Sequence, residues 1–323
     1  MRAVVQKGYG GAESLEIREV ARPAVGPEQV GVRVHATGVN DSDWSLLSGK
    51  PYFVRLFSKP RGRILGHDVA GEVVEVGADV TEFRVGDRVF GDISEAGYGG
   101  FAEYVSVAHA ALTSIPDSVS YVDAAALPHA GNLAMQALVT VAAIEPGQSL
   151  LVNGAGGGVG PLIAQLAAHY GVHDAVGVDD ATKQSFMREV GFARTLDYRQ
   201  VDFTRTGEQF DVIVDTRLTR SPFRLPRSLR PGGTYVTVGA TTARLLGLAL
   251  WGRLISRATG KRIRMLWLKP NESTEAVAAL AGSSVLKPRI DQVFPLAETG
   301  AALARFGAAT HRGKIVVAVV DSA

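Results

Sequence analysis

A chain of 323 residues, 46% hydrophobic and 20% charged, is long enough for two globular domains, each with a core of its own. It holds no cysteine, which excludes disulfides, iron–sulfur clusters, thiolate zinc sites and cysteine nucleophiles. The net charge is only +2, and no apolar run approaches the roughly 18 residues of a membrane span, so a cytoplasmic protein without a membrane partner is expected.

In chain order, residues 1 to about 107 read as short strands broken by Gly and Pro, among them Gln29–Ala36 and Ala70–Val76. Alternation and turn signals at this spacing predict a small barrel-like β domain. Near Asp123 the pattern lengthens into helical runs from Ala124 to Val141, and then strands and helices alternate as in a doubly wound sheet. From about Val285, Arg289–Phe294 and Lys314–Val320 read as strands that return to the first domain. The predicted division is 1–122 with 285–323 for one domain and 123–284 for the other.

The apolar strand Leu150–Val152 runs into Asn153-Gly154-Ala155-Gly156-Gly157-Gly158-Val159-Gly160, and an apolar-periodic helix opens at Pro161. Strand, glycine turn and helix start in this order form a dinucleotide-binding unit. Within Ala155-x-Gly157-x-x-Gly160, Ala155 makes the tight turn and Gly157 lets the backbone approach a pyrophosphate. Gly160 lets helix and strand pack closely, and with Gly158 and Val159 it opens the helix N-terminus, where an anion is favoured. The next strand, Ala175–Val178, ends in Asp179-Asp180 at the spacing of a ribose-binding acid. Phe210–Asp215 and Gly233–Val238 read as further strands, and Thr216 and Gly239 follow them as candidate cofactor contacts.

Taken together, Gly38-Val39-Asn40-Asp41-Ser42-Asp43-Trp44, Leu65-Gly66-His67-Asp68-Val69-Ala70-Gly71-Glu72-Val73, Val85–Gly91, Gly99–Tyr104, the Ala155–Gly160 turn and Arg230–Gly233 come in a familiar order. The chain resembles the medium-chain dehydrogenase/reductase superfamily, and within it the zinc-free quinone oxidoreductase (zeta-crystallin-like) and enoyl reductase branch. That resemblance covers essentially the whole chain. It implies an α/β fold, a GroES-like β-barrel catalytic domain plus a Rossmann doubly wound parallel-sheet domain, with the active site in the cleft between them. It also suggests a homodimer, for which Arg262–Leu268 reads as an edge strand suited to sheet extension.

Zinc-dependent relatives place Cys where this chain has Asn40, and Gly-His-Glu where it has Gly66-His67-Asp68. His67, Asp68 and His129 could make an all-nitrogen/oxygen site, since zinc accepts His and carboxylate; His67 reads instead as a cleft histidine hydrogen-bonded to its neighbours, and no zinc is expected. For the nicotinamide, two signals conflict. Asp179 suits the 2′-hydroxyl of NAD(H), whereas Lys183 and Tyr198 match positions that hold the 2′-phosphate of NADP in quinone-oxidoreductase-like members. NADP(H) is favoured over NAD(H).

The implied activity is NAD(P)H-dependent reduction of a quinone, enone or other α,β-unsaturated carbonyl by zinc-independent hydride transfer. Asn40 is expected to orient substrate or the nicotinamide ribose, and Tyr52, His67 and His129 are candidates to hydrogen-bond or protonate the substrate oxygen. The alternatives are an alcohol dehydrogenase or carbonyl reductase of a biosynthetic pathway, and a non-catalytic NADPH- or RNA-binding protein. Sparse aromatic residues (Phe223, Tyr235, Trp251) argue against nucleic acid. From Arg217 to Arg264 there are eleven Arg or Lys and no Asp or Glu, which leaves a net −9 on the rest of the chain. This stretch reads either as a solvated cationic face or as the recognition site of an anionic or carrier-bound carbonyl substrate, with Leu245–Trp251 as a lid or dimer contact.

Overall fold

Strand Gln29–Gly38 is the axis of one half of the protein. Its valines 30, 32 and 34 fall on one face by the two-residue period of a strand, and all three are fully buried. In the computed structural model, which describes residues 1–320 except 53, 58, 240 and 241, this strand pairs antiparallel with Asp68–Val76, Tyr104–Ala108 and Lys314–Ala318. The sheet runs Ile290–Pro295, Lys314–Ala318, Gln29–Gly38, Asp68–Val76, Arg88–Asp92, Thr113–Ser114, and a smaller sheet joins Leu15–Glu19, Arg2–Gln6 and Arg63–Ile64. Val69, Val73, Val89, Phe101, Leu303 and Val317 complete the core, each side chain contributing about 1.5–3 kcal/mol through burial. Gly66 turns the chain with φ +86°, and a Cβ there would lie 2.8 Å from the Phe101 nitrogen, so only glycine fits.

Two compact units result, Met1–Asn132 with Lys269–Ala323 and Leu133–Leu268. The limits differ from the predicted 122/123 and 284/285. Asn132 explains the shift: its amide donates to Thr274 Oγ1 at 2.7 Å and accepts from Ser273 N at 2.8 Å. These bonds, and Val277 packed on Gly131, draw helix Thr274–Gly282 into the first unit.

The second unit is built on six parallel strands in the order Arg194–Asp197, Ala175–Asp179, Leu150–Asn153, Phe210–Asp215, Leu229–Thr237, Arg262–Met265. Counted along the chain this is 3-2-1-4-5-6, with the reversal between Leu150–Asn153 and Phe210–Asp215, the point beyond whose carboxyl ends such sheets bind ligands. Leu151, Val176, Val178, Ile213 and Tyr235 fill its core. Helix Gly160–His169 follows the glycine turn, with Pro161 in its first turn, where a missing N–H costs nothing. The α/β fold with a GroES-like half and a doubly wound half is therefore present.

Candidate active site

In the first unit, strand register gathers the polar groups. Gly38 pairs with Asp68, and Asp68 with Asp92, so three neighbouring strands bring Asn40, His67 and Asp92 to one level of the sheet. The helix Asp41–Ser48 starts there. Asp43 on its first turn accepts the Asn40 N–H with one oxygen and the Gly66 N–H with the other, both at 2.9 Å. It thereby ties the helix to the loop that carries His67.

His67 is fully buried and both ring nitrogens are engaged. Nδ1 lies 3.0 Å from Asp92 Oδ1, and Nε2 lies 2.7 Å from Ser42 Oγ. The second oxygen of Asp92 lies 2.9 Å from Nδ1 of His129, a side chain left 23% exposed. The Tyr98 ring stands edge-on to His67, with centroids 5.3 Å apart. Ser42, His67, Asp92 and His129 are thus one hydrogen-bonded run from one partly exposed end to another. Burial alone would lower the His67 pKa, but the carboxylates of Asp43, Asp92 and Asp68 outweigh it and raise it to about 9. Burial would raise Asp92; the hydrogen bonds from His129 and His67 prevail and hold it well below the usual carboxylate range.

Asn40 and Asp68 belong to a second, adjoining cluster. Asp68 accepts the Asn40 amide at 2.9 Å, the Lys314 ammonium at 3.0 Å and the His129 N–H at 2.9 Å. Lys314 also donates to Asn40 Oδ1. Both ends of the Asn40 amide are therefore engaged inside the protein.

The zinc question rests on the same bonds. The donor atoms that lie within 4.8 Å of one another are those of His67, Asp92 and His129, so Asp92 replaces Asp68 in the predicted triad. Both imidazoles turn Nδ1 onto the Asp92 carboxylate, and His67 gives its other nitrogen to Ser42. These three could hold a metal ion, for which His67 would give up one of its two hydrogen bonds and Asp92 its bridge between the rings.

In the second unit, the turn residues divide their work. A Cβ on Gly160 would lie 2.2 Å from the Ala155 carbonyl, whereas one on Gly157 would meet only the Gly154 carbonyl at 3.5 Å. Gly160 is required by packing, and Gly157 faces open space. At the neighbouring strand ends Thr216 donates to the Asn153 carbonyl at 3.0 Å, and Gly239 lies against the Thr216 carbonyl. Beneath them the buried Asp215 accepts from Asn153 at 2.7 Å and Tyr235 at 2.6 Å. Asp179 spends its carboxylate on the N–H groups of Gly156 and Asp180, at 2.9 and 2.8 Å, with the buried Lys183 ammonium 3.6 Å away. Arg199, beside Tyr198, pairs with Asp180 at 2.8 Å.

Two family models match the chain, the alcohol dehydrogenase GroES-like domain over residues 26–117 and the zinc-binding dehydrogenase over residues 190–317. The quinone oxidoreductase of Homo sapiens is 31% identical over 74% of this chain and 73% of its own. The chain belongs to the quinone-oxidoreductase branch of the medium-chain dehydrogenase/reductase superfamily. These are oxidoreductases. An NADPH-dependent alkenal/one oxidoreductase of Arabidopsis thaliana is 31% identical over 67% of the chain, a match spanning 57% of that protein. The solved quinone oxidoreductase of Coxiella burnetii superposes with a TM-score of 0.87 at 25% identity, over 99% of each chain.

Within this oxidoreductase frame the structure brings His67 and His129 together through Asp92 but leaves Tyr52 apart. Tyr52 is 69% exposed, with the Arg55 guanidinium 5.0 Å over its ring. The phenol that reaches the histidine is that of Tyr98. Ser42, Asp43, Asp92, Tyr98, Lys314 and Arg199 were not singled out by sequence reading. Only Arg199, adjacent to Tyr198 and two residues beyond Asp197, carried a local signal.

Proposed function

We propose that this protein reduces an α,β-unsaturated carbonyl compound or a quinone with NADPH, taking the proton through Ser42 and His67 and using no zinc. The observation that carries the proposal is the run of hydrogen bonds from Ser42 through His67 to Asp92 and His129. NADPH, when bound, supplies the hydride. Backbone N–H groups from Gly157 to Gly160 take the pyrophosphate at the helix start. Lys183, Tyr198 and Arg199 take the 2′-phosphate, and Asp179 repels it little, because its charge is already spent on two N–H groups and an ammonium.

As negative charge develops on the substrate oxygen, Ser42 Oγ donates its proton there, and the His67 imidazolium returns one to Ser42. Asp92 then holds the neutral ring by its Nδ1–H and fixes its tautomer. The ring regains its proton at Nε2 through Ser42 once product has left, and His129 holds the second oxygen of Asp92. The resemblance to the NADPH-dependent alkenal/one oxidoreductase of Arabidopsis thaliana supports both the coenzyme and the substrate class.

Oxidation of NADPH and of NADH is to be followed with a panel of enones, enals and quinones. Turnover with NADPH, lost in Ser42→Ala, is the expected result. A protein that binds NADPH yet turns over none of the panel overturns the proposal.

A further inference from the structure

Asn271 stands just beyond Leu268, the last residue of the second unit, where the chain has returned to the first. Its backbone is left-handed, with φ +63°, a region that few side chains other than asparagine tolerate. The side-chain amide reaches the end of strand Arg88–Asp92. Its Oδ1 accepts the Asp92 N–H at 2.9 Å, and its Nδ2 donates to the Asp92 carbonyl at 2.7 Å. Ile93 N–H donates to the His67 carbonyl at 2.7 Å, so the backbone groups of Asp92 point to the opposite edge of their strand. Strand pairing along that edge ends earlier, at Phe90 and Thr113. Beyond it, one side chain gives Asp92 the donor and the acceptor that a further strand would give.

The amide is itself held. The Thr274 hydroxyl donates to Asn271 Oδ1 at 3.3 Å and accepts from the Asn132 amide at 2.7 Å. Asn132 lies on helix Pro128–Met135, nearly one turn past His129, and also donates to the Pro128 carbonyl at 2.8 Å. A ring therefore closes. It runs from the Asp92 carboxylate to His129, along the helix to Asn132, across Thr274 to Asn271, and back to the Asp92 backbone. The gap that the carboxylate bridges is thus set from outside it.

We infer that Asn271 is a positioning residue of the reduction, fixing the level at which the Asp92 carboxylate meets His67 and His129. The inference rests on the proton route proposed above. Tying the returning chain into the fold would need only one bond to any backbone group. Here both ends of the amide go to the residue that joins the two histidines, from a backbone conformation that costs stability.

Asn271→Gly removes the amide and suits the left-handed backbone, so the turn is kept. NADPH oxidation with an enone is to be measured for this variant, for Asp92→Asn and for the two combined, with kcat normalised to the fraction that binds coenzyme. Asn271→Gly should lower kcat about tenfold and leave the KM for NADPH little changed. The combined variant should be no slower than Asp92→Asn alone, because both changes act through one carboxylate. Thr274→Val keeps the bonds to Asp92 and removes their support; it should lower kcat by less, and it carries the test should the glycine variant not fold. Wild-type kcat in Asn271→Gly, or a loss that multiplies with that of Asp92→Asn, overturns the inference and leaves the proton route standing. A wild-type rate in Asp92→Asn overturns the route, and the inference with it.

Discussion

The Asp92 carboxylate meets the His67 imidazole at 3.0 Å with both side chains fully buried. Because carboxylates raise the His67 pKa from 6.5 to about 9, its folded value lies above its unfolded one. The charged ring therefore stabilises the fold fully below pH 6.5, and that contribution fades as pH rises through about 9. A displacement of this size corresponds to about 3 kcal/mol. Thermal melts of the wild type should lose stability over that range relative to His67→Gln, which lacks the titrating ring. Parallel curves would contradict the pairing.

Proton delivery through this run makes a kinetic prediction. Ser42→Ala and Asp92→Asn should each lower kcat by about a hundredfold, the usual scale of a positioned proton donor, with NADPH binding little changed. Tyr98→Phe should lower kcat less, since the phenol stands outside the Ser42–His67 step. Tyr52→Phe should be silent. Steady-state kinetics of the four variants check this, and a fully active Ser42→Ala enzyme contradicts it.

Coenzyme choice should respond to one exposed arginine. Arg199→Ala should raise the KM for NADPH about tenfold, the scale of a charge-assisted hydrogen bond, and leave that for NADH unchanged. Equal effects on the two coenzymes would remove Arg199 from the 2′-phosphate site.

Two glycines of the same turn should separate folding from binding. Gly160→Ala drives a Cβ into the Ala155 carbonyl and should cost about 1–3 kcal/mol of stability. Gly157→Ala points into open space and should melt like the wild type while binding NADPH more weakly. Melting curves with and without coenzyme distinguish the two.

What was legible in the sequence follows from these distances along the chain. The glycine turn, its strand and its helix lie within 150–169 and announce themselves by local pattern. So do Asp179 and Lys183, fixed by their spacing from that turn. The proton run was not legible, because register assembles it: Asp92 joins His67 only when Asp68 pairs with Asp92, and Lys314 reaches Asp68 from 246 residues away. His67 and His129 could be named as polar residues of interest, but the carboxylate that joins them could not. Tyr52 reads in the sequence as a candidate proton donor, but a phenol's position along the chain does not say whether it points inward. The unit limits moved for a similar reason, since the Asn132–Thr274 contact spans 142 residues.

Metal independence is the claim on which the Ser42–His67 route depends most directly. NADPH oxidation with an enone acceptor should be measured after exhaustive dialysis against a zinc chelator, and again after zinc is added back. Rates unchanged by either step are predicted; activity that disappears with the chelator and returns with zinc would contradict the account.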